Sequence, residues 1–178
     1  MAKRSREQIR EDEKRVIELL EKDSRQTPNE IANKLGFSRQ KAWRIIKRLE
    51  KENEIWGYTT IITEDKNDLM NLYVALVKSK SPTVKYADKL VERISNNKTE
   101  KELGIKLVDM YFLHGTYSWL LIFSAEDIKH AKRFIGYIEK HYGEMIAEVD
   151  FLENIFSMLK GGKVNPNIEK INEFALDH

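Results

Sequence analysis

Cysteine is absent from the 178 residues. That absence excludes disulfides, thiolate metal sites, iron–sulfur clusters and cysteine nucleophiles together, and suits a reducing compartment. Long hydrophobic runs are missing as well. The longest stretch free of Asp, Glu, Lys and Arg, Met110 to Ala125, contains His114, Gly115, Thr116, Ser118 and Ser124. It is too short and too polar to cross a bilayer, which needs about 20 apolar residues. No apolar signal core follows the basic stretch Met1 to Arg10, so the expected location is the cytoplasm, with no membrane partner. Nor is there an excess of one charge. Lys plus Arg is 31 and Asp plus Glu 29, a net charge of +2, which argues against a polybasic tail or a wrapper of nucleic acid.

What remains is a soluble composition, 41% hydrophobic and 34% charged, long enough for two compact units. Charge placement then separates the ends of the chain. Residues 1 to 60 carry 15 basic and 11 acidic side chains, and residues 61 to 178 carry 16 and 18. Eight of the ten arginines precede residue 49, and arginine is the side chain suited to bidentate contact with phosphates and base edges. The polar run Glu64-Asp65-Lys66-Asn67-Asp68 lacks an apolar period and marks a linker. The expected division is residues 1–62, a linker at 63–71, a second domain at 72–160, and a tail at 161–178 in which Ile168, Ile171, Phe174 and Ala175 recur at helical spacing. The break before the tail is Gly161-Gly162. Gly161-Gly162-Lys163 lacks the spacing and the Ser/Thr of a phosphate loop, so it reads as a hinge.

The first domain reads as three helices. Ile9, Val16, Ile17 and Leu20 share one face of the first, with Glu11, Asp12 and Glu13 in its early turns, where the helix dipole favours negative charge. Thr27, Pro28 and Glu30 form the capping box and first-turn proline of the second, and Gly36 stops it. Ser38 caps a third helix running to about Glu52. On this helix Ala42, Ile45, Ile46 and Leu49 make an apolar stripe. Gln40, Arg44, Lys47 and Lys51 lie opposite, with Lys41 and Arg48 at one margin and Arg39 and Trp43 at the other. No acidic residue occurs between Ser38 and Leu49. Two helices joined by a short Gly-containing turn, with the basic face on the second, form a helix-turn-helix that offers a helix to the DNA major groove. Trp43 either packs on the first helix or the wing, or meets a thymine methyl or sugar edge. Ile55 to Ile62, rich in aromatic and β-branched residues, is expected to form a wing strand.

The second domain reads as strand, helix, strand, strand, helix, strand. The strands are Leu72–Ser79, Lys106–Leu113, Trp119–Phe123 and about Met145–Phe156; the helices are about Val84–Asn96 and one capped by Ser124. That order predicts an α+β chain, a winged helix-turn-helix followed by a ferredoxin-like βαββαβ domain, with helices on one sheet face and the other face left for a partner. The stretch Asn97 to Leu107 is longer than such a connection needs. His114, His130, His141 and His178 have no metal-ligand spacing, so no metal or cofactor is expected.

The run from Leu35-Gly36-Phe37-Ser38 through Arg48-Leu49-Glu50 to Ile55-Trp56-Gly57-Tyr58, with Glu18-Leu19-Leu20 and Asp23-x-Arg25 before it, resembles the Lrp/AsnC (leucine-responsive, feast/famine) family of prokaryotic transcriptional regulators. The resemblance covers Ile9 to about Leu159. Asn53 stands where the family usually has Gly, an exchange that suits a left-handed residue. The resemblance implies a DNA-binding regulator that dimerises through its sheet, assembles further into tetramers or octamers, and senses an amino acid or other small metabolite. In the family a Gly-x-Tyr-Asp turn helps form that pocket. Here the turn is Gly115-Thr116-Tyr117-Ser118, without the carboxylate.

The expected DNA-contacting residues are therefore Ser38, Arg39, Gln40, Lys41, Trp43, Arg44, Lys47 and Arg48. Arg39, Gln40 and Arg44 are assigned to base edges of a roughly palindromic operator in double-stranded DNA, and Lys41, Lys47 and Arg48 to phosphates. The effector candidates are Gly115, Thr116, Tyr117 and Ser118. Two alternatives stand beside this reading: an enzyme resembling the siroheme decarboxylases, which share the two-domain plan and place functional His and Tyr near His114 and Tyr117, and an interaction module whose winged helix binds protein.

Overall fold

A computed structural model describes residues 6–62, 71–80 and 98–175, and the chain divides into two compact units, Met1–Thr60 and Ile61–His178. The expected linker at 63–71 lies outside the described residues save for Asn71. The first unit holds α1 (Arg6–Lys22), α2 (Pro28–Leu35) and α3 (Arg39–Lys51). Its core joins the apolar stripes of all three, with Val16, Ile31, Ala42 and Leu49 fully or almost fully buried. Asn53, just past α3, has φ 58°, the left-handed conformation that Asn accepts at small cost.

The expected wing strand is corrected. Residues 55 to 62 form no strand. A β-strand is held by a neighbour's backbone groups, and no described segment pairs with this one. Ile55 packs against the core of the first unit, whereas Trp56 is 94% exposed.

The second unit is built on a four-stranded antiparallel sheet in the order β2-β3-β1-β4, from β1 (Asn71–Ser79), β2 (Ile105–Phe112), β3 (Trp119–Ala125) and β4 (Ile146–Glu153). This is the ferredoxin-like order. The expected helix Val84–Asn96 lies in 81–97, outside the described residues. The long connection before β2 contains a short helix, α4 (Lys98–Leu103).

After β3 comes α5 (Ile128–Tyr142), and here a second expectation fails: its N-cap is Asp127, whose carboxylate accepts from the His130 N–H at 2.8 Å, and not Ser124. Ser124 is held in the sheet opposite Leu72 on one side and Lys106 on the other. A residue laddered on both sides has no freedom to start a helix. Tyr73, Ala75, Val77, Trp119, Leu121 and Phe123 line the sheet face under Ala131, Phe134, Ile135 and Ile138 of α5. Phe123 meets Phe134 edge-on at 4.8 Å between ring centroids. Each fully buried side chain of this size contributes about 1.5–3 kcal/mol.

The Gly161-Gly162 hinge is also corrected. These residues are the two-residue turn of a hairpin, β5 (Leu159–Lys160) with β6 (Lys163–Val164). Both have positive φ, 51° and 74°, as a primed turn demands and glycine supplies without strain. The expected boundary at residue 161 thus cuts through a hairpin. A turn of 3₁₀ helix (Ile168–Lys170) and α6 (Ile171–Ala175) follow, and Phe174 of α6 lies against Phe156, ring centroids 5.5 Å apart.

Candidate nucleic-acid interface

The geometry of the first unit begins with its caps. Thr27 Oγ accepts from the Glu30 N–H while the Glu30 carboxylate accepts from the Thr27 N–H at 2.6 Å, closing the capping box. This holds the Glu30 carboxyl below the usual carboxylate range, chiefly through the Thr27 backbone. Gly36 ends α2 at φ 68°, and the Phe37 N–H returns to the Ala32 carbonyl at 2.8 Å. Ser38 Oγ then accepts from the Lys41 N–H at 3.2 Å and starts α3. The reversal between α2 and α3 is therefore specified residue by residue, and it directs the start of α3 outward.

α3 buries Ala42, Ile45, Ile46 and Leu49. Ser38, Arg39, Gln40, Arg44, Lys47 and Lys51 are exposed, and Trp43 is 50% exposed at the margin. The cations are not equivalent. Lys41 is drawn into the unit: its ammonium lies 2.7 Å from the Asp12 carboxylate, with only 14% of the side chain exposed, and 3.3 Å above the Phe37 ring. Arg48 pairs with Glu13. Asp12 and Glu13, placed by the sequence in the field of the α1 dipole, thus anchor α3 to α1 across the core. Nothing local in the sequence signals a pairing between helices so far apart in the chain.

Arg39 makes no ion pair with any described residue, and the Arg44 Nε only reaches the Gln40 carbonyl at 3.4 Å. Lys47 sits 2.7 Å from Glu50, whose other oxygen accepts from the Tyr58 hydroxyl at 3.1 Å. Lys47 first, and Tyr58 after it, hold the Glu50 carboxyl below its ordinary range. The Tyr58 hydroxyl is pushed up by burial and then by Glu50.

In the second unit, the turn of the effector candidates joins β2 to β3. The Leu113 N–H donates to the Ser118 carbonyl at 2.7 Å, and the Ser118 N–H to the Val77 carbonyl at 2.8 Å. Gly115 and Thr116 are exposed. The Tyr117 hydroxyl donates to the Asp150 carboxylate of β4, which raises the Tyr117 pKa through that bond and then the charge of Asp150. Asp150 was not singled out by sequence, because its proximity to the turn arises only when β4 adds to β1. His130 is engaged by Asp127 at 2.8 Å and His141 by the Tyr137 carbonyl at 2.9 Å; His178 lies outside the described residues. Among the described residues no group of three His, Asp or Glu could hold a metal ion, and no helix is long and apolar enough to cross a membrane.

Residues 13–53 match the winged helix-turn-helix DNA-binding family model. Over most of its length the chain is also similar to solved structures. PH0061 is 25% identical with a TM-score of 0.67, covering 88% of this chain and 96% of its own. An AsnC family transcriptional regulator from Agrobacterium tumefaciens is 17% identical with a TM-score of 0.63, covering 86% and 95%. The transcriptional regulator NMB0573 from Neisseria meningitidis, solved as an L-Met complex, is 12% identical with a TM-score of 0.62, covering 88% and 96%. No protein among the curated sequences matches the chain.

Proposed function

As a chain with a winged helix-turn-helix unit and the two-unit fold of the Lrp/AsnC regulators, this protein is, we propose, a sequence-specific DNA-binding transcriptional regulator working as a homodimer or a larger even assembly. The carrying observation is the exposed face of α3, where Arg39, Gln40, Arg44 and Lys47 project from a helix that capping and core contacts hold rigidly. Inserted into the major groove, that face offers Arg39, Gln40 and Arg44 to base edges. Lys47 and Lys51 take phosphates. Ser38 caps the entering helix end, and half-exposed Trp43 borders the groove wall. Lys41 and Arg48, neutralised by Asp12 and Glu13, act chiefly as struts of the unit.

Dimerisation uses the sheet face away from α5. Leu72, Val74 and Leu76 of β1 alternate with the core residues, as do Leu120 and Ile122 of β3, and Leu152 of β4 pairs with Val74 on the same face. Burying this apolar face is the driving force for association. A two-fold dimer sets two copies of α3 on a roughly palindromic operator, with half-site centres about one helical turn or a multiple apart. An amino acid or similar metabolite at the turn of Gly115, Thr116, Tyr117 and Ser118 is the candidate effector, by analogy with the L-Met complex of the Neisseria protein.

Selection from a random DNA pool followed by footprinting tests the reading. A recovered palindromic motif is expected, and Arg44→Ala costs about 1–3 kcal/mol on that site while relaxing its sequence preference. No enriched motif at moderate salt overturns the reading.

A further inference from the structure

One side of the sheet in the second unit lies under α5, and the outward side of α5 carries a band of charge that α3 does not account for. At about 100° per residue, Lys129, Arg133, Gly136 and Lys140 fall within about 60° of arc, with Lys132 about 40° further round. All five are exposed. Glu139, the single acid of the helix, lies beyond Lys132. The ion pairs at this helix are those of His130 with Asp127 and Glu126, and none of the four cations is paired with a described residue. We propose that this band is a second DNA-binding surface, which takes the phosphates of duplex extending beyond the operator; it rests on the DNA-binding role of α3.

Three features of the band work against the helix that bears it. Lys129 stands in the first turn, where the helix dipole disfavours a cation. It is followed by Lys132 at i+3 and Arg133 at i+4, spacings at which like charges repel. Gly136 stands in the helix interior, where glycine is less favourable than alanine. Space does not demand it, because a Cβ there would meet nothing within 4 Å, and its φ is not positive. The fold therefore gains nothing from these choices. A polyanion laid along the band offsets the repulsion among the cations, and a position without a Cβ lets a phosphate approach the helix closely.

The chemistry selects nucleic acid over protein or membrane. Three of the four cations are lysine, a residue depleted at protein interfaces but suited to phosphate as a point charge. The arc holds none of the aromatic anchors on which protein interfaces centre. Phe134, Ile135 and Ile138 are buried, so α5 has no apolar face to lay into a bilayer. From Lys129 to Lys140 the helix rises about 16 Å, a length over which a duplex presents several phosphates. Association through the opposite sheet face leaves the band outward in the dimer.

The experiment measures the affinity of the full-length protein for a long random-sequence duplex across a series of salt concentrations. It compares the parent, Lys47→Ala, Gly136→Glu, and a triple variant carrying Lys129→Gln, Arg133→Gln and Lys140→Gln. The triple variant is expected to lower the slope of log K against log salt by about two to three units, with a melting temperature unchanged or raised. On a duplex no longer than the operator it is expected to bind as the parent does. Gly136→Glu is expected to weaken binding to the long duplex by about tenfold, and it decides alone if circular dichroism shows the triple variant to be misfolded. A slope lowered by Lys47→Ala and unmoved by the α5 variants overturns this inference and leaves the role of α3 standing. Equal weakening on the short duplex also overturns it, since the overall field and not a contact is then at work. So does a changed oligomeric state of the variants in sedimentation, which reassigns the band to a contact between copies. A parent protein that binds no duplex overturns both readings.

Discussion

The two units leave opposite kinds of surface uncovered. The first closes its core among three helices, and what remains outward on α3 is cationic. The second covers one face of its sheet with α5 and leaves Val74, Leu76, Leu120 and Ile122 on the other. The difference follows from periodicity. A helix divides its circumference, so one stripe enters the core and the remainder is free to carry charge. A strand sends alternate residues to two faces, and an unbroken apolar run such as Trp119-Leu120-Leu121-Ile122-Phe123 makes both faces apolar. One unit is therefore equipped to meet a polyanion, and the other to meet a surface like itself.

The comparison breaks first at the cores. Phe123→Ala removes the ring that meets Phe134 edge-on and is expected to destabilise the second unit by about 3–5 kcal/mol. Because the first unit has its own core, urea denaturation should then show two transitions, with the helical one unmoved; a single shared transition would show that the units fold as one. Next in size is the open face. Leu76→Glu places a charge at its centre and is expected to raise the dimer dissociation constant by about 100-fold in sedimentation experiments, with little change in the fold.

The cations of α3 sharpen the contrast further. Lys41→Ala breaks the Asp12 pair, lowers the stability of the first unit by about 1 kcal/mol and leaves the salt dependence of DNA binding unchanged. Lys47→Ala does the reverse, lowering the slope of log K against log salt by about one unit at near-constant stability. Smallest is an acid effect that each unit carries separately. The carboxyls of Glu50 and Asp127 are held below their ordinary range, Glu50 by Lys47 and then Tyr58, Asp127 by the His130 N–H and then its ring. A lowered folded-state pKa stabilises fully above the unfolded value, near pH 4, and the contribution is lost as pH falls through the lowered one. Glu50→Gln and Asp127→Asn should each flatten the fall in urea midpoint between about pH 5 and 2, in the first and second unit respectively.

Much of the first unit could be read from its residues. Thr27, Pro28, Glu30, Gly36 and Ser38 are local signals, and each acts within a few residues of itself. The wing strand could not be read so. Ile55 to Ile62 has the composition of a strand, but composition cannot supply a partner. Ser124 and Asp127 show the same limit in miniature: both can cap a helix, and only the ladder that holds Ser124 between β1 and β2 leaves the role to Asp127.

The candidate site was legible as a face and not as a set of contacts. Spacing alone placed six cations on the third helix, since angular position on a helix depends only on residue number. Which of them remain available depended on Asp12 and Glu13 arriving from α1, just as the carboxylate near Tyr117 depended on β4 arriving beside β1. The helix caps and turns of the first unit were determined by the sequence by itself, because they rest on interactions a few residues long. Ion-pair partners between helices and the approach of Asp150 to Tyr117 were decided only by the tertiary structure, because they join residues whose separation along the chain carries no signal of their meeting.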